Sequence, residues 1–161
     1  MDLKCSRIDT PLGSMLLAAS AQGLAGAWFE GQKHLPDVSG WQSDPQNPHI
    51  QQASAELKAY FSGQRTSFQV PLAAAWGTPF QHAVWKALQR IRAGHTTSYG
   101  QLAEQLKKPM ASRAVGAAVG KNPWSVIVPC HRVVGAQGAL TGYAGGLDRK
   151  VALLQLEGAL P

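Results

Sequence analysis

Residues 98–119 read SYGQLAEQLKKPMASRAVGAAV and show the pattern of two short helices separated by a tight turn. Ser98 and Gln101 form a capping box, which predicts a helix that begins there and runs through Leu106. A proline then interrupts the chain, and residues 111–119 form the second predicted helix. A connection of about four residues between two short helices is typical of a helix-turn-helix motif.

The second of these helices is made almost wholly of small residues, and Arg113 is its only charged residue. Small side chains allow a helix backbone to approach another surface closely, either inside a bundle of helices or in a groove of DNA. In DNA, so few donors for base edges predict binding with little sequence preference. Arg113 could then enter the base stack in place of an extruded nucleotide.

Basic residues are concentrated in the second half of the chain. The net charge of +6 divides into −1 for residues 1–77, with five basic and six acidic residues, and +7 for residues 78–161, with ten basic and three acidic residues. This asymmetry favours a polyanion such as nucleic acid as the partner of the second half. The alternative is that the basic residues only keep the protein soluble.

Length and composition indicate a globular chain, because 45% of the 161 residues are hydrophobic and 15% are charged. The apolar runs are too short to cross a bilayer, so we expect no membrane association. The first five residues do not resemble a signal peptide. Two cysteines, Cys5 and Cys130, do not make a disulfide framework, and we therefore expect a cytoplasmic protein.

The first half of the chain predicts a small antiparallel sheet and one helix. Short apolar runs bounded by turn residues predict the strands, and helical periodicity predicts the helix. The predicted elements are strands at residues 6–9, 15–19 and 24–29, a surface loop at 30–49, a helix from Ile50 to Ser62 and a linker at 72–77.

The second half is mostly helical. A further capping box opens a helix that ends at Gly94, and Asp148 is the predicted cap of a last helix at residues 149–157. The predicted fold class is therefore α+β, with an N-terminal domain at residues 1–76 and a C-terminal domain at residues 77–161.

Cys130 and His131 lie next to each other inside a buried, strand-like apolar run at residues 126–134. Apolar surroundings alone raise the pKa of a thiol and keep it inert, whereas an adjacent base or cation lowers that pKa and makes the sulfur a nucleophile. The alternative is a small cysteine buried in a core, which is a common place for this residue type.

Glu157 stands at the C-terminal end of the last predicted helix, where the helix dipole disfavours a carboxylate unless a cation or donor compensates. It is either a solvated side chain or the group that orients the imidazole of His131. In the second case Cys130, His131 and Glu157 are nucleophile, base and orienting group. Tyr99, just inside a helix start, either donates its hydroxyl to a phosphate or base or packs half-buried.

The glycine-rich segment at residues 142–146 contains Tyr143 and lacks the pattern of a phosphate-binding loop. It is more typical of a flexible pocket wall than of a nucleotide site. The histidines outside the Cys130 segment have no metal-ligand spacing with either cysteine, so we expect no metal site.

Several segments of the second half, taken in order, resemble the O6-alkylguanine-DNA alkyltransferases, also called methylated-DNA–protein-cysteine methyltransferases. The likeness is to the short bacterial form, and the first half matches only loosely, chiefly at TPLG in residues 10–13. The matching segments are GTPFQ at 77–81 with VW at 84–85, SYGQLA at 98–103, ASRAVG at 111–116, NP at 122–123, VPCHRV at 128–133, TGYAGG at 141–146 and LEG at 156–158.

The resemblance implies a ribonuclease H-like N-terminal domain, a C-terminal domain with a winged helix-turn-helix, and DNA repair in a single irreversible reaction. Cys130 would take the alkyl group from O6 of guanine, while Glu157 and His131 draw its proton through a bridging water. Tyr99 would donate to the leaving guanine, and Arg113 would fill the vacated stack. The implied DNA-contacting residues are Tyr99, Ser112, Arg113, Ala114, Gly116 and Ala117, and the implied pocket residues are Asn122, Trp124, Val133, Tyr143, Ala144 and Gly145.

The resemblance also implies a monomer without a cofactor that binds double-stranded DNA with O6-alkylguanine through the minor groove. Trp124 stands where related sequences more often carry a smaller aliphatic residue, so we expect it to narrow or re-shape the pocket rim. Some family members hold zinc in the N-terminal part, but Cys5 is the only cysteine there, and we expect none. Activity on O4-alkylthymine and cooperative binding along DNA stay open.

Two other functions remain open from the sequence. The chain could be a non-catalytic protein that binds the alkylated lesion, although Cys130 argues against this function. It could also be a cysteine hydrolase that uses Cys130 and His131, although nothing in the sequence marks an oxyanion hole.

Overall fold

The computed structural model of the chain describes residues 2–161, which divide into two compact units. The first unit contains the described residues up to Trp76 together with Pro123–Ile127, and the second contains Gly77–Asn122 and Val128–Pro161. The predicted domain boundaries did not anticipate that Pro123–Ile127 groups with the first unit. Its backbone pairs with a distant strand there, and local sequence patterns do not encode such contacts.

A four-stranded sheet forms the first unit, with strand order β3-β2-β1-β4. Neighbours β1–β2 and β2–β3 are antiparallel, as predicted, but β4 lies inside the predicted surface loop and pairs with β1 in parallel, so the sheet is mixed. A strand of two residues has too little pattern for the sequence to reveal it. The strands are β1 (Lys4–Thr10), β2 (Gly13–Ser20), β3 (Gly23–Phe29) and β4 (Gln42–Ser43).

One helix, α1 (Pro48–Phe61), completes the first unit. It begins two residues before the predicted start because the side chain of Asn47 accepts hydrogen bonds from the first free N–H groups of the helix. Its buried face includes Leu57 and Tyr60. Glu56 lies on the same face, and its Oε1 accepts from the backbone N–H groups of residues 69 and 70 at 3.0 and 3.1 Å.

The second unit contains four helices and a two-stranded sheet. Both predicted capping boxes are present, one at the start of α2 and one at the start of α3. Trp85 of α2 donates its indole N–H to the carbonyl of Ala118 in α4 at 2.8 Å, which joins these two helices. The elements are α2 (Pro79–Leu88), β5 (Thr97–Ser98), α3 (Tyr99–Gln105), α4 (Ser112–Gly120), β6 (Val133–Val134) and α5 (Leu147–Leu156), with 3-10 turns at Cys130–Arg132 and Ala136–Gly138.

Two predicted helix ends were wrong. Helix α2 ends at Leu88 instead of Gly94, because the backbone N–H groups of residues 89–91 bond to carbonyls three residues earlier and form tight turns. The carbonyl of Ile91 then accepts a hydrogen bond from Arg132. Asp148 is not the cap of α5, since Gly146 precedes the helix and Asp148 lies in its first turn. An acidic residue there is still favourable, because the N-terminal end of a helix dipole is positive.

The short parallel sheet of the second unit positions the candidate site. Thr97 pairs with Val133, and Ser98 pairs with Val134. Strand β5 leads directly into α3, and β6 directly follows the turn that holds Cys130. The pairing therefore brings the start of α3, with Tyr99, to the chain segment that leaves the cysteine.

Candidate active site

Cys130 lies in a compact turn and not in the strand-like run that the sequence predicted. Pro129 has no N–H for a strand ladder, and its φ of −81° and ψ of 65° form an inverse γ-turn. The N–H of Cys130 accordingly donates to the carbonyl of Val128 at 2.8 Å. The chain then continues as the 3-10 turn Cys130–Arg132, so proline chemistry explains why the expected strand is absent at this point.

Asn122, just beyond α4, holds this turn from the other side. Its Nδ2 donates to the carbonyl of Val128 at 2.8 Å, and its side chain also hydrogen-bonds to the thiol of Cys130. The residue is buried. Asn122 thus connects the end of α4 directly to the segment that carries the cysteine.

His131 and Glu157 form a buried pair. Nε2 of His131 and Oε2 of Glu157 are 2.8 Å apart, and their side chains are 0% and 1% exposed. A neutral imidazole that donates from Nε2 carries its lone pair on Nδ1. Nδ1 is buried and has no hydrogen-bond partner among residues 2–161, so it is available to accept a proton.

Arg132 supplies the cation that Glu157 needs at the end of α5. Its Nε donates to Oε1 of Glu157 and its Nη2 to Oε2, each at 2.8 Å, and a third donor, Nη1, bonds to the carbonyl of Ile91. Such a two-pronged pair fixes both the charge and the plane of a carboxylate. This role of Arg132 was not predicted from the sequence, although a carboxylate such as Glu157 at a helix C-terminus requires a compensating cation or donor.

Lys150 is a second residue that the sequence analysis missed. Its side chain is fully buried, and Nζ donates to the carbonyls of Val133, Thr141 and Gly142 at 2.6, 2.7 and 3.3 Å. The spacing could have indicated that Lys150 lies near the site, because Lys150 is seven residues before Glu157. Two helical turns therefore place it on the face of α5 that leads to Glu157.

The electrostatics of the site set its resting protonation state. Burial raises the pKa of the Cys130 thiol to about 11, while the hydrogen bond from Asn122 and the charge of Lys150 act in the opposite direction. Burial also lowers the pKa of His131 below its ordinary value, against the raising effect of Glu157. The site at neutral pH therefore holds a thiol beside a neutral imidazole.

The loop before α5 lies beside this pair. The rings of His131 and Tyr143 meet edge to face, with centroids 6.5 Å apart. Nη1 of Arg149 donates to the carbonyl of Gly145 at 3.0 Å, which fixes the loop from α5. Of the other predicted pocket residues in this unit, Val133 is fully buried in β6 and Ala144 is half-buried in the loop.

Helix α4 has two distinct faces. Val115, Ala118 and Val119 are buried against the unit, whereas the predicted DNA-contacting residues are exposed or half-exposed. Tyr99 at the start of α3 packs over Gly116, since a Cβ at Gly116 would lie 3.6 Å from its ring. The exposed or half-exposed residues of the α4 face are Ser112, Arg113, Ala114, Gly116 and Ala117.

Trp124 lies in the first unit and not in the unit that holds Cys130. It is buried, and its indole N–H donates to the carbonyl of Leu24 at 2.8 Å. Its backbone forms a bridge with Ala27. These contacts give Trp124 a packing role in the first unit, and its role at the pocket rim stays a prediction.

Across residues 2–161, no three His, Cys, Asp or Glu side chains cluster closely enough to hold a metal ion. Within the same range, no helix has the length and apolar character required to cross a membrane.

Two family models match the chain, one on each half. The model described as "6-O-methylguanine DNA methyltransferase, ribonuclease-like domain" matches residues 3–74. The model described as "6-O-methylguanine DNA methyltransferase, DNA binding domain" matches residues 79–159. Together they cover nearly the whole chain in the order of its two predicted domains.

Several proteins that are similar to this chain over most of its length are methylated-DNA–protein-cysteine methyltransferases. A methylated-DNA–protein-cysteine methyltransferase of Mycobacterium leprae is 45% identical over 155 residues, which is 96% of this chain and 92% of that protein. One from Methanosarcina acetivorans is 47% identical over 152 residues, covering 94% and 96% of the two chains. The crystal structure of Mycobacterium tuberculosis OGT in complex with DNA is similar at a TM-score of 0.88 and 45% identity, covering 99% of this chain and 94% of that one.

Proposed function

The chain belongs to the methylated-DNA–protein-cysteine methyltransferase family, and we propose on that premise that it repairs DNA by moving an alkyl group from O6 of guanine to Sγ of Cys130. The observation that carries this proposal is the buried pair of His131 and Glu157 directly after the buried Cys130, in the half of the chain that matches the family's DNA-binding domain. A nucleophile, a base and an orienting carboxylate are the groups that displacement at an alkyl carbon requires.

The reaction begins with the proton of Cys130. Nδ1 of His131 accepts it through one bridging water, while Glu157 holds the ring and stabilises the imidazolium that forms. Glu157 can do so because Arg132 donates to both of its carboxylate oxygens and so fixes its orientation. The base is effective because burial keeps His131 neutral at physiological pH.

The thiolate then attacks the alkyl carbon. An S–C bond forms, the O6–C bond breaks, and its electron pair stays with guanine. The hydroxyl of Tyr99 donates a hydrogen bond to this departing anion. The anion finally takes up the proton that Cys130 gave to His131, so guanine leaves neutral and His131 returns to its neutral form. The product is a thioether, which has no good leaving group, so each molecule reacts once.

Helix α4 presents the damaged nucleotide to this site. Its exposed small residues allow the backbone to enter the minor groove of double-stranded DNA, and Arg113 fills the stack that the turned-out base leaves. Tyr143, Ala144 and Gly145 line one side of the base pocket, and Asn122 and Val133 line the Cys130 side. The protein acts as a monomer in this scheme.

The test follows a labelled methyl group from duplex DNA with O6-methylguanine. We expect label on the wild-type protein and on a Cys5→Ser variant, and none on Cys130→Ser, which still binds the duplex. Binding without transfer by the wild-type protein would instead support a non-catalytic lesion binder. DNA-independent turnover of an acyl or amide substrate would support the cysteine hydrolase.

A further inference from the structure

Lys150 is a buried cation that the proposed reaction does not use. It lies on the inner face of α5 beside Leu153 and Leu154, and its relative exposure is 0%. A lysine is rarely buried completely, because removing an ammonium from water is unfavourable unless hydrogen bonds replace its hydration. Its environment therefore calls for an explanation.

Three carbonyls surround the ammonium and match its chemistry. Nζ donates to Val133, Thr141 and Gly142 at 2.6, 2.7 and 3.3 Å. A protonated lysine has three N–H donors, whereas a neutral amine has two, so three acceptors favour the charged form. Burial lowers the pKa of Lys150 to about 8, which leaves it protonated at neutral pH.

These carbonyls belong to the two segments that form the candidate site. Val133 follows the turn Cys130–Arg132, and its own N–H donates to the carbonyl of Cys130. Thr141 and Gly142 begin the loop that continues to Tyr143. One ammonium thus joins the cysteine turn to the pocket loop.

We propose that Lys150 is a positioning residue for alkyl transfer, which fixes the pocket loop to the cysteine turn through its three carbonyl contacts. A positive charge in this place also favours the thiolate form of Cys130. This inference rests on the function proposed above. The hydrogen bonds of Lys150 are to backbone carbonyls, so Lys150 acts through the cysteine turn and the pocket loop that it holds.

The other charges near Cys130 are largely compensated. Glu157, which follows α5, bonds to both Arg132 and His131. Its negative charge offsets the positive charge of Arg132. The contacts of Nζ, in contrast, are to neutral carbonyls. Burial raises the pKa of Cys130, and the positive charge of Lys150 acts to lower it. On the loop side, the ring of Tyr143 meets the ring of His131.

The experiment measures the rate at which iodoacetamide alkylates Cys130 as a function of pH, without DNA, in a Cys5→Ser background. Lys150 is charged only below a pH of about 8, so its effect on Cys130 is measured near pH 7. Lys150→Gln keeps two donors but removes the charge, and we expect it to lower the rate at pH 7 about tenfold. Lys150→Arg keeps the charge, and we expect it to react at the parental rate at pH 7. Lys86→Gln, an exposed lysine of α2, is the matched control and leaves the profile unchanged.

Methyl transfer from duplex DNA supplies the second readout. Lys150→Arg cannot reproduce the compact arrangement of three donors, so we expect it to slow transfer about tenfold while DNA affinity is retained. A folded Lys150→Gln variant that reacts with iodoacetamide at the parental rate at pH 7 overturns the electrostatic role. If Lys150→Gln does not fold, Lys150→Arg tests the positioning role in its place. A Lys150→Arg variant that transfers methyl groups at the parental rate overturns that role. A parent protein that transfers no methyl group refutes the proposed function, whereas the iodoacetamide profiles still judge Lys150.

Discussion

Cys130 is held in a protonated resting state by its burial, and the residue proposed to take its proton, His131, follows it directly in the chain. The thiol has a raised pKa of about 11, and the neighbouring His131 has a lowered pKa. A free thiolate is therefore scarce until a substrate occupies the site and the base acts. We infer that this arrangement protects a nucleophile that can be used only once.

Glu157 is the residue whose charge organises the network, which gives a direct prediction. Glu157→Gln keeps the size of the side chain but removes the charge that stabilises the imidazolium of His131, so we expect transfer to slow by about 10²-fold. Stopped-flow measurement of methyl transfer checks this, with Glu30→Gln as an exposed control. Unchanged transfer in a folded Glu157→Gln protein would remove Glu157 from the mechanism.

The lowered pKa of His131 predicts a pH-dependent stability. The unfolded chain binds a proton at His131 near its ordinary value of 6.5, whereas the folded protein binds it only at lower pH. Between these values the unfolded state holds more protons, so the free energy of unfolding falls as pH decreases below about 6.5. Urea unfolding across this range checks the expectation, and His131→Gln is expected to lose this contribution while the exposed control His95→Gln retains it.

The residues that motif and spacing identified are the ones that lie next to each other in sequence or at an unusual helix position. Cys130 and His131 were predicted from their adjacency, and Glu157 from its place at a helix C-terminus. Arg132 and Lys150 were missed because their roles depend on distant carbonyls and on a carboxylate 25 residues away. Only the folded chain brings those groups together.

One face of helix α4 packs against the second unit, and the other face carries the proposed DNA-contacting residues. Gly116 on the second face contacts Tyr99, so substitutions there test the role of Tyr99. A Cβ there meets the ring of Tyr99 at 3.6 Å, an ordinary contact, so Gly116→Ala is expected to stabilise the protein by about 0.5–1 kcal/mol through helix propensity. The larger Gly116→Leu displaces Tyr99, and we expect it to slow transfer by about 10²-fold. Thermal unfolding and transfer rates check both, and equal rates in the two variants would refute the role of Tyr99.

Arg113 belongs to the exposed face, and its proposed role requires duplex DNA. Arg113→Ala is expected to slow repair in a duplex at least tenfold while it leaves the reaction with free O6-benzylguanine unchanged, because the free base needs no vacated stack. Parallel kinetics on the two substrates check the prediction. Equal slowing on both substrates would contradict the insertion of Arg113 into the stack.

Local chemistry explains which elements the sequence could predict. The capping boxes at Thr78 and Ser98 were predicted because each is contained within four residues, and both are present. Strand β4 and the end of α2 were not predicted, since one pairs with a distant strand and the other responds to Arg132. The turn at Pro129 could have been predicted from proline alone, but the apolar run around it favoured a strand.

The two halves of the chain differ in net charge, and each half matches a different family model. The half with α3, α4 and Cys130 carries +7 and matches the DNA-binding domain model, whereas the first half carries −1. Local strand and helix patterns indicated the α+β class, but they did not reveal that Pro123–Ile127 joins the first unit. That placement depends on backbone pairing between residues nearly 100 positions apart.

One alkyl transfer to Cys130 is proposed to consume the whole protein molecule. Intact-mass spectrometry after incubation with excess duplex containing O6-methylguanine, followed by peptide mapping, measures this directly. We expect a gain of one methyl group per molecule, located on Cys130, and one lesion repaired per protein. An unmodified protein mass, with or without continued loss of lesions, would contradict it.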